Sequence, residues 1–275
     1  MKQSLFVFIA IFFLIVNLSA QSFDMVWETE KVFKTPESAL YDAERNQIYV
    51  SNINGKPTIK DGNGFLSILD TNGVVNKLRW VSGMNAPKGM AIIDSLLYVT
   101  DIDRIIIIDI DQAKIVKIVD VEGALFLNDI AALPGGELIV SDMKMNHLLI
   151  FDGNKTSVWL EDDLLIAPNG LAFFKESLYV GTKNNLLKVS PELKKAKVHI
   201  EETGPIDGLI PLGMNKYVVS DWSGRVMIAD MNSKIVLQNT ASENIQAADL
   251  GFLPKEKIVL IPTFFDNRVV ARRLP

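Results

Sequence analysis

The stretch PNGLAFFKESLYVGT, Pro168–Thr182, places a polar residue second, then a short apolar strand, a turn and another strand. The same plan recurs in PESALYDAERNQIYVSN from Pro36, PKGMAIIDSLLYVTD from Pro87 and LNDIAALPGGELIVSD from Leu127. It recurs again in IDGLIPLGMNKYVVSD from Ile206 and ADLGFLPKEKIVLIPT from Ala248. The second-place residues are Glu37, Lys88, Asn128, Asn169, Asp207 and Asp249, separated by 51, 40, 41, 38 and 42 positions. A recurrence of roughly forty residues carrying short β-patterned runs is the signature of a propeller, with about four strands in each blade.

Working outward, each repeat supplies a third strand: GFLSILD, RIIIIDI, HLLIFDG, NLLKVSP, RVMIADM and NRVVARRL. Five supply a fourth: VVNKLRWV, KIVKIVDV, TSVWLE, KAKVHIEE and KIVLQNT. The sixth repeat ends at Pro275 without one, and FDMVWETEKVF, Phe23–Phe33, is unclaimed. Its natural place is the outer strand of the last blade, which closes the ring and removes an open sheet edge. The expectation is an all-β chain: a six-bladed β-propeller, four strands per blade, closed by the N-terminal strand. Helical periodicity is weak throughout, and β-branched runs bounded by Gly, Asn and Asp turns dominate.

Residues 1–20 read differently. Lys2 precedes the apolar run LFVFIAIFFLIV, Leu5–Val16, and a small residue, Ala20. This is the pattern of a secretory signal peptide cut near Ala20, and the run is short for a membrane span. The expected organisation is therefore a signal peptide over 1–20 and a propeller domain over 21–275, exported to a periplasmic or secreted location and free of the membrane after cleavage. The chain holds no cysteine, so no disulfide, thiol nucleophile or thiolate metal ligand exists. A net charge of −5 gives no reason to expect nucleic acid as a partner. Nearly half the residues, 48%, are hydrophobic, enough for a large core.

In a propeller the first strand of each blade lines the central channel, so the six second-place residues form a ring at one end of it. A single Asn before a strand is ordinarily a turn former. Several carboxylates and amides gathered in one ring call for a cation, for Lys88 as counter-charge, or for both. The donors are all oxygen, which suits calcium first and then magnesium or manganese. Zinc fits less well, because His147 and His199 both lie outside the ring. Blade 1 also carries an insertion, INGKPTIKDGNGF, between its second and third strands, on the ring face: a lid or a plain hairpin tip. Asn52, Asp101, Asp142 and Asp221 end second strands on this face, where Asp101 and Asp142 read as turn caps.

With these motifs in order, the sequence resembles the senescence marker protein/gluconolactonase/luciferin-regenerating family of six-bladed propellers. The resemblance implies that Glu37 in PESALYD, Asn169 in PNGLAF and Asp207 in IDGLI bind a divalent metal. It further implies that Asn128 in FLNDI binds substrate and that Asp207 acts as general base. It departs at Phe126, where the family has an arginine that holds sugar acids. Asn128 and Lys88 are thus the candidate substrate-binding residues, Glu37, Asn169 and Asp207 the candidate metal ligands, and Asp207 the candidate catalytic residue. Two functions remain open: an exported metal-dependent hydrolase of lactones or related esters acting on a small molecule, and a non-catalytic propeller that binds a ligand and uses the cation structurally.

Overall fold

A computed structural model describes residues 22–275. The expected signal peptide and its cleavage point lie outside the described residues. Six four-stranded antiparallel sheets follow one another around a ring. Their innermost strands are Pro36–Asp42, Pro87–Ile93, Leu127–Ala132, Leu171–Phe174, Leu209–Gly213 and Gly251–Leu253. Each of the first five blades runs from channel to rim in chain order.

The sixth blade is completed from the other end of the chain. Its strands Gly251–Leu253, Ile258–Pro262 and Val269–Arg273 are followed outward by Asp24–Glu28. Asp24 pairs with Arg273 and Glu28 with Val270. Trp27 then ties this blade to the first: its indole Nε1 donates to the Thr71 carbonyl (3.0 Å) and its ring packs on the cluster containing Phe33, Leu69 and Leu260. The closing strand expected from FDMVWETEKVF is therefore in place, and it covers an edge that would otherwise be open.

The core lies between blades. Tyr49 and Leu66 of blade 1 pack against Val99, Ile106 and Ile108 of blade 2, and Ile105 and Ile107 face Leu138 and Phe151 of blade 3. The run Ile105–Ile108 is buried on both faces, because alternate side chains of a strand point to opposite neighbours. The first strands must also approach one another closely around the channel. A Cβ at Gly89 would collide with Asp129, and one at Gly170 with the Asp207 carbonyl, so both positions need glycine.

The insertion of blade 1 lies on the mouth face and leans on blade 2. Lys60 pairs with Asp103, and the Gly62 N–H donates to Asn85 Oδ1 (3.1 Å).

Candidate active site at the channel mouth

The strand starts place their side chains by a repeated backbone device. The Asn169 N–H donates to the Gly181 carbonyl (2.9 Å) and the Asp207 N–H to the Ser220 carbonyl (2.9 Å), so these two second-place residues are clamped to the second strands of their own blades. Glu37, Lys88, Asn128, Asn169 and Asp207 consequently line one cavity of about 440 Å³ at the channel mouth. The five lie on five different blades and are brought together by the ring alone.

Asp249 does not join them. The Ala248 N–H donates to the Pro262 carbonyl (3.0 Å), the same contact that Asp207 makes with Ser220. Ala248 is thus the sixth member of the mouth ring, and the alignment that placed Asp249 there is one residue out of phase. Asp249 belongs to the next layer down, level with Asp129, Ser38 and the glycines Gly89, Gly170 and Gly208. There it accepts a hydrogen bond from Ser38 Oγ (2.5 Å). Asp129, which the sequence reading did not single out, accepts from the N–H groups of Ile130 (2.7 Å) and Leu171 (2.6 Å). Asp129 and Asp249 therefore tie neighbouring blades together.

The mouth carboxylates are less committed. Glu37 is buried, and its Oε2 has no hydrogen-bond partner. Burial, and then the charges of Asp207 and Asp249, push its carboxyl well above the usual range, against the opposing pull of Lys88. Asp207 is pushed up to about 7 by burial and by Asp249, while the hydrogen bond from Asn169 Nδ2 (2.9 Å) works the other way. That bond uses the amide nitrogen of Asn169 and leaves its carbonyl oxygen uncommitted.

Lys88 is 1% exposed. Its Nζ donates to the Ala86 carbonyl (3.0 Å) and lies 4.5 Å from the centre of the Phe126 ring. Burial lowers its pKa to about 8, with Glu37 and Asp101 pulling upward. The expected counter-charge is thus inside the mouth and not in bulk solvent. It influences Glu37 through the cavity, since among the described residues Lys88 forms no direct ion pair.

The turn-cap reading of Asp101 and Asp142 is met. Asp101 accepts from the N–H groups of Asn85 and Ala86 and from Arg104. Asp142 accepts from Leu125 (2.8 Å) and Phe126 (3.1 Å). Both are buried and hold the chain as it enters the channel strand, so removing Asp101 would disturb Lys88 and is not neutral for the mouth. His199 hydrogen-bonds to the Tyr217 hydroxyl (3.0 Å) beside Tyr179, and His147 lies near Glu161; neither lines the cavity.

A second ring escaped the sequence reading. At the ends of the second strands one residue reaches the cavity in four blades: Ile53, Met143 and Trp222, each directly after its strand, and Phe264, two positions after Pro262. The signal was available in the same repeat, one position beyond Asn52, Asp142, Asp221 and Thr263. Phe126, Phe265, Pro57, Pro205 and Ile206 complete an apolar wall above the polar floor. Two residues of the blade 1 insertion region, Ile53 and Pro57, thus border the opening.

Among solved structures, a gluconolactonase from Xanthomonas campestris superposes with a TM-score of 0.69 at 15% identity, over 88% of this chain and 87% of that one. What the two share is the six-bladed propeller fold, an architecture that the expected family fits. A streptogramin B lyase superposes with a TM-score of 0.65 at 12% identity, over 90% of this chain and 98% of that one. A chain of a nidogen/laminin complex gives 0.65 at 16% identity, over 79% and 84%. At such identities the likeness concerns the fold, which these proteins put to different uses. No family profile and no curated protein sequence matches the chain.

Proposed function

We propose that the protein is a divalent-metal-dependent hydrolase of lactones or related esters, with its site at the channel mouth. The observation that carries this reading is Glu37 Oε2, a buried carboxylate oxygen without a partner, in a cavity shared with Asp207 and Asn169. Burying such a group is unfavourable unless a ligand completes it. The donor set fits a hard cation: two carboxylates and an amide oxygen, without nitrogen or sulfur ligands. Three or more His, Cys, Asp or Glu side chains do not cluster for metal binding among the described residues. The third donor of this reading is the uncommitted carbonyl oxygen of Asn169, and bound water or substrate oxygen would complete the set. Calcium suits these donors best, magnesium and manganese accept them, and zinc is less suited.

Glu37, Asn169 and Asp207 would hold the ion. When bound, it supplies Lewis-acid polarisation of the scissile carbonyl. The chain's own groups do the rest. Asn128 donates to or accepts from the substrate at the cavity floor. Lys88 offsets the charge of Glu37 and presents an ammonium to the same space. Asp207 positions the attacking water and takes its proton. Holding a cation lowers the basicity of Asp207, so positioning is its larger part. The oxygen of water bonds to the carbonyl carbon, the acyl–oxygen bond breaks, and the leaving alkoxide takes up a proton, giving a hydroxy acid from a lactone.

The nidogen/laminin neighbour and Phe126 favour a second reading, a binding propeller with a structural cation. A lyase chemistry is less well supported. One lyase neighbour, virginiamycin B lyase from Staphylococcus aureus, is described as catalytically inactive after replacement of a histidine by alanine, and no histidine lines this cavity. Turnover of a lactone panel in calcium and in chelator separates the first two readings. Calcium-dependent hydrolysis is expected, and its absence across the panel moves the assignment to the binding module.

A further inference from the structure

The cavity has two unlike parts. Its floor carries all five polar groups described above. The wall above the floor offers Phe126, Met143, Trp222, Phe264 and Phe265, in which the indole N–H is the one donor and the Met143 sulfur, a weak acceptor, is already taken by Asn128 Nδ2 (3.7 Å). Trp222, Phe264 and Phe265 meet edge to face, with ring centres 5.4, 5.9 and 4.9 Å apart. Trp222 is 43% exposed and Phe265 56% exposed, so a large aromatic surface is left facing the opening.

This surface is built with care. Phe264 has a φ of +49°, unusual for a bulky side chain. The turn around it is fixed several times over. The Asn267 N–H donates to the Phe264 carbonyl (3.1 Å), the Phe265 N–H to Gln246 Oε1 (3.3 Å), and Thr263 Oγ1 to the Arg268 carbonyl (2.9 Å). Asp266 is held by Arg268 (2.6 Å) and Lys31 (2.5 Å). A strained backbone so over-determined belongs to a functional surface more often than to a plain loop. On the opposite side, Phe126 is held in place through its N–H by Asp142.

We infer that the ligand of this site is an ester or lactone carrying an apolar, ring-bearing substituent, and not a polyhydroxylated one. This rests on the hydrolase reading for the reacting group and on the wall for the substituent. The substituent packs between Phe126 and the Trp222–Phe265 face, while the carbonyl and ring oxygen reach the polar floor. A sugar lactone would turn several hydroxyls toward rings that cannot pair with them, at a cost for each one desolvated. A volume of about 440 Å³ admits one small ligand of this kind.

The test uses δ-lactams, which keep the ring and carbonyl of a lactone and are not turned over. Binding of δ-valerolactam, a phenyl-substituted δ-valerolactam and gluconolactam to the full mature chain is measured by calorimetry in calcium. The phenyl compound is expected to bind roughly 10–100-fold more tightly than the unsubstituted one, the gain from burying one ring. Gluconolactam should fall at least about 100-fold below the phenyl compound. Trp222→Ala and Phe265→Ser, both at exposed positions compatible with folding, should each cost roughly 10-fold for the phenyl compound and leave δ-valerolactam unchanged. Equal binding of the phenyl and glucono compounds, or indifference of the phenyl compound to both substitutions, would overturn the inference. If the phenyl lactam binds as expected while the matching lactone is not hydrolysed, the ligand class stands and the hydrolase reading falls.

Discussion

Two layers of the channel, one residue apart along each first strand, use the same side chains differently. At the mouth stand Glu37, Lys88, Asn128, Asn169, Asp207 and Ala248. One step deeper stand Ser38, Gly89, Asp129, Gly170, Gly208 and Asp249. Each layer holds two carboxylates, all buried but the half-buried Asp249, and desolvation raises all four. In the deeper layer the carboxylates accept hydrogen bonds across blade boundaries, Asp129 from Leu171 and Asp249 from Ser38. At the mouth Glu37 Oε2 accepts none, and Asp207 is bonded by another candidate ligand, Asn169. Buried charge alone therefore does not mark a functional site. What separates a staple from a ligand is whether its oxygens are already used.

The largest effect expected from this contrast is on stability in the deeper layer. Asp129→Ala strands the N–H groups of Ile130 and Leu171, at about 1–3 kcal/mol each, offset in part by relief of the repulsion with Asp249. A fall in Tm of roughly 5–10 °C is expected by calorimetry. An unchanged Tm would mean that the deep carboxylates are not staples.

Asp207→Asn at the mouth should behave in the opposite way. It keeps an acceptor for Asn169 and removes a charge that faces Glu37 and Asp249. In chelator its Tm should equal that of the wild type or exceed it by a few degrees, as expected when a functional group is held at a cost to stability. A drop as large as that of Asp129→Ala would erase the distinction between the layers.

Stability should also depend on pH in a defined direction. Asp129 and Asp207 are raised to about 7, chiefly by burial, and Asp249 is raised as well. The folded chain thus binds more protons than the unfolded chain between the ordinary carboxylate range and about pH 7. The stabilisation is complete below the ordinary range and is lost as pH rises through 7. Denaturant unfolding in chelator should give a more stable protein near pH 5 than near pH 8, and calcium should narrow the gap. A stability that rises over this interval would contradict the raised values. The smallest effect should come from Trp222→Ala: with the indole already 43% exposed, its Tm should shift by no more than a degree or two.

The fold was legible because the repeat is strong. The LYVTD-type second strands and the unclaimed Phe23–Phe33 segment fix both the number of blades and the closure. The mouth ring was legible in five of six blades, for the same reason. It failed at Asp249 because AADLG offers an apolar residue where the others offer a polar one, so matching by polarity slid the blade by one position. Side chains alternate along a strand, and a slip of one changes the surface a residue serves. Asp129 was hidden behind Asn128, since two adjacent polar residues at a strand start give no sign of which faces the opening. The wall residues Trp222 and Phe264 were missed because an apolar residue after a strand reads as core. Phe264 is indeed largely buried, and only its place against Trp222 and the cavity, set by the neighbouring blade, gives it a role at the mouth, which no local pattern records.

We propose that the mouth carboxylates hold a cation and that the deep ones do not. Calorimetric titration of calcium into the metal-free protein at about pH 8 tests it directly, comparing wild type with Asp207→Asn, Glu37→Gln and Asp129→Asn, and taking Glu256→Ala, an exposed position, as control. One site is expected in wild type, Asp129→Asn and Glu256→Ala, with binding abolished or weakened at least about 100-fold by either mouth substitution. No binding to the wild type, or equal binding by wild type and Asp207→Asn, would contradict it.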